Sequence, residues 1–125
     1  MNCTKAGIIL YTDKYQDCVA FYRDALQLPL MFQFDRPGET LTCFDLGGAY
    51  LMVEVGGPPS RDIKTMDHSP IKFRFNVPEV EAVAKELRNR GVKIALHRHD
   101  WGDTAEFTDP DGNRCALRSD RGFGV

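Results

Sequence analysis

The chain has 125 residues, and its 16 lysines and arginines stand against 18 aspartates and glutamates for a net charge of −2. That length holds one domain, and a pI near 5.9 speaks against a dedicated nucleic-acid binder, which carries a basic excess. Hydrophobic residues at 42% and charged residues at 27% are the balance of a chain that folds around a core, not of a disordered one.

No stretch has the length of a membrane span, and no signal-peptide pattern follows the first residues. The four cysteines, Cys3, Cys18, Cys43 and Cys115, are scattered with no C-x-x-C pair. A reduced, cytoplasmic protein is expected, one that needs neither disulfides nor a structural metal for its core.

Ala6 to Tyr11 is a short apolar run with paired isoleucines, the composition of a buried strand. Asp13 precedes Gln16 by three, the spacing of a capping box. Cys18, Phe21, Tyr22 and Ala25 then form a helical stripe, which Leu26 extends and Pro29 ends. Leu30 to Phe34 and Thr40 to Leu46 read as strands around the turn Arg36-Pro37-Gly38. Gly47-Gly48 makes a tight hairpin, and Ala49 to Val55 returns.

Gly56-Gly57-Pro58-Pro59-Ser60 breaks the composition, and a linker is expected over about 57–70. The order then repeats. Ile71 to Val77 alternates, with Phe73, Phe75 and Val77 on one face and Lys72, Arg74 and Asn76 on the other. Val80, Val83, Ala84 and Leu87 form a second helical stripe closed by Gly91. Val92 to Leu96, Ala105 to Thr108 and Arg114 to Arg118 supply three more strands, with Asp109-Pro110-Asp111-Gly112-Asn113 turning between the last two. The plan is strand, helix, three strands, twice over: a first module at about 5–56 and a second at about 71–120. Tight turns between the strand triplets argue for antiparallel pairing and an α+β class.

This doubled plan resembles the glyoxalase, bleomycin-resistance and extradiol-dioxygenase superfamily, the vicinal oxygen chelate fold. Three local matches carry the likeness: Phe21-Tyr22-Arg23-Asp24-Ala25-Leu26, Arg90-Gly91-Val92, and Trp101-Gly102 ahead of Glu106-Phe107-Thr108-Asp109-Pro110-Asp111-Gly112-Asn113. The last is similar in particular to bleomycin-resistance-type members. The resemblance implies two βαβββ modules whose four-stranded sheets form an open, curved, barrel-like cavity with the helices outside. It also implies one metal ligand from each of the first, fourth, fifth and eighth strands. On this sequence those positions fall at Gly7 (or Ala6 if the register slips), Glu54, Lys72 and Ala116. Only Glu54 offers a metal a donor, because glycine and alanine have none and an ammonium has no lone pair.

Two readings of Lys72 stand open: its ammonium replaces the ion's charge opposite Glu54, or both side chains reach solvent as a weak pair. Alternation brings Arg74 and Asn76 to the face of Lys72, Arg114 and Arg118 to that of Ala116, Tyr50 and Met52 to that of Glu54, and Ile9 and Tyr11 to that of Gly7. Such a cavity would suit an anionic, partly apolar ligand, unless the arginines reach the rim or pair with Asp109 and Asp120. Trp101 either stacks on a planar ligand or caps the sheet end. His97 and His99 with Glu54 make a nonstandard metal site the alternative to surface histidines, and His68 becomes a ligand only if the strand register shifts. Cys18 and Cys115 read as core filler.

The expected function is a small-molecule binder with no cofactor, using Tyr11, Met52, Glu54, Lys72, Arg74, Trp101 and Arg118. The alternative is a divalent-metal lyase, isomerase or dioxygenase built around Glu54. A third is a metal-free enzyme with Glu54 as general base beside Lys72 and Arg74. The resemblance also implies a homodimer, and no nucleic acid or membrane partner is expected.

Overall fold

A computed structural model describes residues 1–59 and 62–124. The chain divides between residues 60 and 61 into two compact units. The first runs β1 (Ala6–Thr12), α1 (Tyr15–Ala20), β2 (Leu30–Arg36), β3 (Glu39–Asp45) and β4 (Ala49–Val55). The second runs β5 (Lys72–Val77), α2 (Val80–Asn89), β6 (Ala95–His99), β7 (Gly102–Thr108) and β8 (Arg114–Ser119). Each forms one four-stranded sheet, in the orders β1-β4-β3-β2 and β5-β8-β7-β6. In both, the first strand pairs parallel with the last and the hairpins pair antiparallel. This is the α+β repeat of βαβββ modules that the sequence predicts. A helical crossover carries the chain into the first hairpin strand, whereas tight turns suffice for the antiparallel triplet.

In the first unit the helix covers Thr12, Thr42, Phe44, Leu51 and Val53, all fully buried or nearly so, with Cys18 and Tyr22. The hydroxyls of Tyr15 and Thr42 meet at 2.6 Å, which satisfies two polar groups beneath the helix. The expected Asp13/Gln16 capping box does not form. Lys14 occupies the N-cap without a side-chain bond, and its N–H donates instead to Thr12 Oγ1 at 3.0 Å.

Beyond Ala20 the helix widens to a π-turn over Phe21–Ala25. Its closing bonds run from Leu26 N–H to the Phe21 carbonyl and from Leu28 N–H to the Tyr22 carbonyl, each 3.0 Å. The wider turn rotates the expected stripe, so Tyr22 is buried while Phe21 and Ala25 are only half-buried.

In the second unit Val80, Ala84 and Leu87 bury one stripe of α2, and Ala105, Phe107, Cys115 and Leu117 are buried on β7 and β8. Gly91 (φ +89°) ends the helix as the sequence predicts: Gly91 N–H bonds the Arg88 carbonyl and Val92 N–H the Leu87 carbonyl, a Schellman closure. That closure occupies Val92, so β6 begins at Ala95 rather than Val92. This strand also runs on to His99 rather than ending at Leu96, so His97 and His99 lie on the strand.

Part of the stretch expected to be a linker is bonded to the second unit. Lys64 N–H donates to the Gly112 carbonyl at 2.9 Å, and its ammonium reaches Asn113 Oδ1 at 2.8 Å and Asp111 Oδ2 at 3.2 Å. Gly112 has φ +78°, and a Cβ there would sit 2.4 Å from the Asp62 carbonyl oxygen. A Cβ on Gly91 would meet nothing within 4 Å. Gly112→Ala is therefore expected to lower stability by about 1–3 kcal/mol and Gly91→Ala by about 1 kcal/mol. Urea denaturation should rank them in that order.

Candidate functional site

Two sheet faces carry the candidate residues, one in each unit. In the second unit, the β5–β8 register sets Lys72 opposite Arg114, Arg74 opposite Ala116 and Asn76 opposite Arg118. β7 adds Thr104 beside Arg118 and Glu106 beside Ala116, and β6 adds His97 beside Thr104. These side chains share the face turned away from α2, by strand alternation.

The four cations expected there are not equivalent. Lys72 forms its ion pair with Glu106, at 3.1 Å, and both side chains are about two-fifths exposed. Its partner is thus an acid from the neighbouring hairpin, a residue the sequence reading did not single out. Alternation along β7 would have found it once β7 was paired to β8 across the Asp109–Asn113 turn.

Arg114 neither opens onto this face as a free cation nor pairs with Asp109 or Asp120. Its Nη2 donates to the carbonyls of Ser69, at 2.9 Å, and Ile71, at 3.5 Å. It holds the chain entering β5.

Arg118 is only 6% exposed. Its Nη1 donates to the Ser119 carbonyl, to Ser119 Oγ at 3.4 Å and to the Arg121 carbonyl at 3.3 Å. Its Cζ lies 4.9 Å from the Trp101 ring centroid and 5.3 Å from that of Phe123, within cation–π range. Arg74 is exposed, and its Cζ lies 5.8 Å from the Phe123 centroid. Among the described residues, neither Arg74 nor Arg118 has a carboxylate at ion-pair distance.

Trp101, in the β6–β7 turn, stacks on His99 with centroids 4.4 Å apart and planes at 4°. His99 Nε2 also meets Thr104 Oγ1 at 3.1 Å. The indole and His99 line a cleft of about 450 Å³ together with Pro78, Val80, Ser119 and Arg121. Phe123 escaped the sequence reading, and His99 entered it only as a metal ligand or surface residue, not as a partner of Trp101. Stacking of His99 shows only once the turn geometry is known, and Phe123 lies between two glycines beyond any periodic element.

In the first unit, Tyr11 and Leu41 flank Glu54 in register, and Ile9 and Cys43 flank Met52. Phe32 and Phe34 on β2 extend the same face. Met52 and Glu54 are half-buried and Tyr11 is exposed. Glu54 makes no hydrogen bond or ion pair among the described residues. Burial pushes the Cys43 thiol up, so it packs there as a neutral group. The face is apolar and aromatic around one carboxylate.

The family model described as the Glyoxalase/Bleomycin resistance protein/Dioxygenase superfamily matches residues 6–117. The chain belongs to this superfamily. It is 30% identical over 118 residues to YraH of Bacillus subtilis strain 168, covering 85% of this chain and 90% of YraH. Its fold is similar to that of TnmS3, an antibiotic binding protein from Streptomyces sp. CB03234, with a TM-score of 0.75, 19% identity and coverage of 94% of this chain and 96% of TnmS3. It is similar also to a lactoylglutathione lyase from Agrobacterium tumefaciens, with a TM-score of 0.71, 22% identity and 96% of each chain covered.

The metal set implied by the superfamily does not fit these residues. The Tyr50 ring lies over Gly7, so that a Cβ there would sit 2.3 Å from it, and no larger ligand side chain has room. Ala116 is 1% exposed and has no donor, and the Lys72 ammonium is engaged with Glu106. His99 is committed to Trp101 and Thr104, and His68 Nδ1 to Thr65 Oγ1 at 2.9 Å. Among the described residues no three His, Cys, Asp or Glu side chains are grouped to hold a metal ion.

The different roles of the cations have a measurable consequence. Arg114→Met removes a charged donor from two carbonyls and should cost about 1–3 kcal/mol. Lys72→Met breaks an exposed pair and should cost less than about 1 kcal/mol. Thermal or urea unfolding of the two variants, side by side, tests the difference.

Proposed function

We propose that this protein binds a small molecule without the metal of its superfamily, and that the ligand is anionic and partly apolar. The observation that carries this reading is the composition of the four ligand positions: Gly7 under the Tyr50 ring, Glu54, Lys72 paired with Glu106, and Ala116. Three of the four supply no donor to a cation. The fold shared with an antibiotic binding protein agrees with a binding role that needs no reaction.

The sign of the ligand follows from the cations left over. Lys72 is paired with Glu106, and Arg114 donates through Nη2 to the backbone entering β5 while its Nε has no partner among the described residues. Arg74 and Arg118, set against aromatic rings, likewise retain guanidinium donors with no carboxylate. A guanidinium with open donors recruits carboxylate or phosphate through charge-assisted bonds. Trp101 and Phe123 supply aromatic surface beside it.

A second copy of the chain belongs to this reading. β1 and β2 are the edge strands of the first sheet, and Ile8, Ile9, Leu30, Met31 and Phe32 are exposed along them. Unpaired edges bearing large apolar side chains are covered in stable proteins. Sedimentation equilibrium should give a homodimer, at twice the 14.1 kDa chain mass. A single-chain mass at micromolar concentrations would refute it.

The ligand reading is tested by calorimetric titration of dialysed protein with 2-naphthoate, its neutral amide and 2-naphthylmethylamine, with and without EDTA. The acid should bind best and EDTA should change nothing. Arg74→Ala should weaken the acid about threefold to tenfold and the amide little. Preference for the amine, or binding that EDTA abolishes, would overturn the reading.

A further inference from the structure

The chain beyond β8 turns back over the sheet. Asp120 N–H donates to the Val77 carbonyl and Phe123 N–H to the Asp120 carbonyl, each 3.0 Å. This turn sets the Phe123 ring against two guanidinium groups at once, 5.3 Å from Arg118 and 5.8 Å from Arg74. The two arginines are diagonal neighbours on adjacent strands, since Arg74 faces Ala116 and Asn76 faces Arg118. With His99 and Trp101 they make a continuous ladder: His99, Trp101, Arg118, Phe123, Arg74.

The ladder covers the π-faces of these cations and leaves open the N–H groups of Arg74 and the Nε and Nη2 groups of Arg118. All the hydrogen bonds Arg118 makes among the described residues come from Nη1, and Arg74 makes none. A guanidinium carries five donors. Phe123 thus supplies an aromatic ring where no acid is supplied.

The ring is also weakly held. Phe123 is 53% exposed, and residues 120–124 are all exposed. Gly122 and Gly124 on either side have φ of +76° and +78°, so the ring sits between two residues that change backbone conformation at little steric cost.

We propose that Phe123 is a built-in occupant of the aromatic part of this site, exchanged for the ring of the ligand. This rests on the anionic-ligand reading above and narrows it to aromatic acids. The ligand's ring takes the place of Phe123 on the two guanidinium groups, and its acid group takes their open donors. Phe123 then competes with the ligand. It sets a threshold that a purely aromatic or purely anionic compound does not cross, because neither replaces the ring and fills the donors together.

Trp101 is the sole tryptophan, which gives the test two independent arms. In calorimetry, Phe123→Ala should bind 2-naphthoate about fivefold more tightly than wild type. Phe123→Leu, which keeps bulk but loses the π-face, should fall between them. In ligand-free protein, Phe123→Ala should raise iodide quenching of Trp101 emission about twofold relative to acrylamide quenching, because uncovered guanidinium groups attract the anionic quencher. If 2-naphthoate binds neither protein, the anionic reading fails and the exchange fails with it. If wild type binds and Phe123→Ala binds equally or less tightly, only the competing role of Phe123 fails, its ring being a spectator or a clamp. An unchanged iodide-to-acrylamide ratio overturns the covering contact whatever the ligand does.

Discussion

The candidate site depends on one register, the parallel pairing of β5 with β8. It places Arg74, Asn76, Ala116 and Arg118 on a common face and sends Phe73, Phe75, Cys115 and Leu117 to the other. A slip of one residue would reverse every one of these side chains. The register of β8 is in turn anchored by the turn that precedes it. Asp109, 4% exposed, accepts the N–H groups of Asp111 and Asn113 at 3.0 and 2.8 Å on one oxygen and Asn113 Nδ2 at 2.8 Å on the other. A buried carboxylate with three donors holds the hairpin to a single geometry. Lys64 and Arg114 then fasten the chain entering β5 to the same region.

That anchoring makes a buried guanidinium tolerable. Arg118 has almost no contact with solvent, and its charge is met by carbonyl oxygens and aromatic faces rather than by an acid. Removing a charge from water costs several kcal/mol unless such groups replace the hydration. Carbonyls and π-faces replace part of it and leave the net positive charge in place. A carboxylate partner in the protein would have cancelled the field that an anionic ligand needs.

At two of the four ligand positions that the superfamily implies, residues of this chain take up the place. At Gly7 the vacancy is filled from within by the Tyr50 ring, and at Lys72 the ammonium is satisfied by Glu106. Neither an empty hole nor an unbalanced charge stands at these two points. One fold carries unrelated chemistries because the sheet frame is held by its core and turns, while the exposed face is free to vary.

The sequence by itself determined the element plan and the helix-facing core. Alternation in β5, the Gly91 closure and the Asp109–Asn113 turn are local signals, written in residues a few positions apart. The paired isoleucines marked the strand β1 but not its burial, since Ile8 and Ile9 are exposed on the edge of the sheet. It also determined that Glu54 alone among the four ligand positions can bind a cation, because donor chemistry belongs to the residue type. Only the tertiary structure decided which charges remain free. Lys72 meets Glu106 across 34 positions of sequence, and Arg114 reaches Ser69 across 45. It likewise showed the π-turn that follows α1. Periodicity records which face a side chain takes, but a long, flexible cation chooses its partner from whatever the folded sheet brings within reach, and that choice is not local.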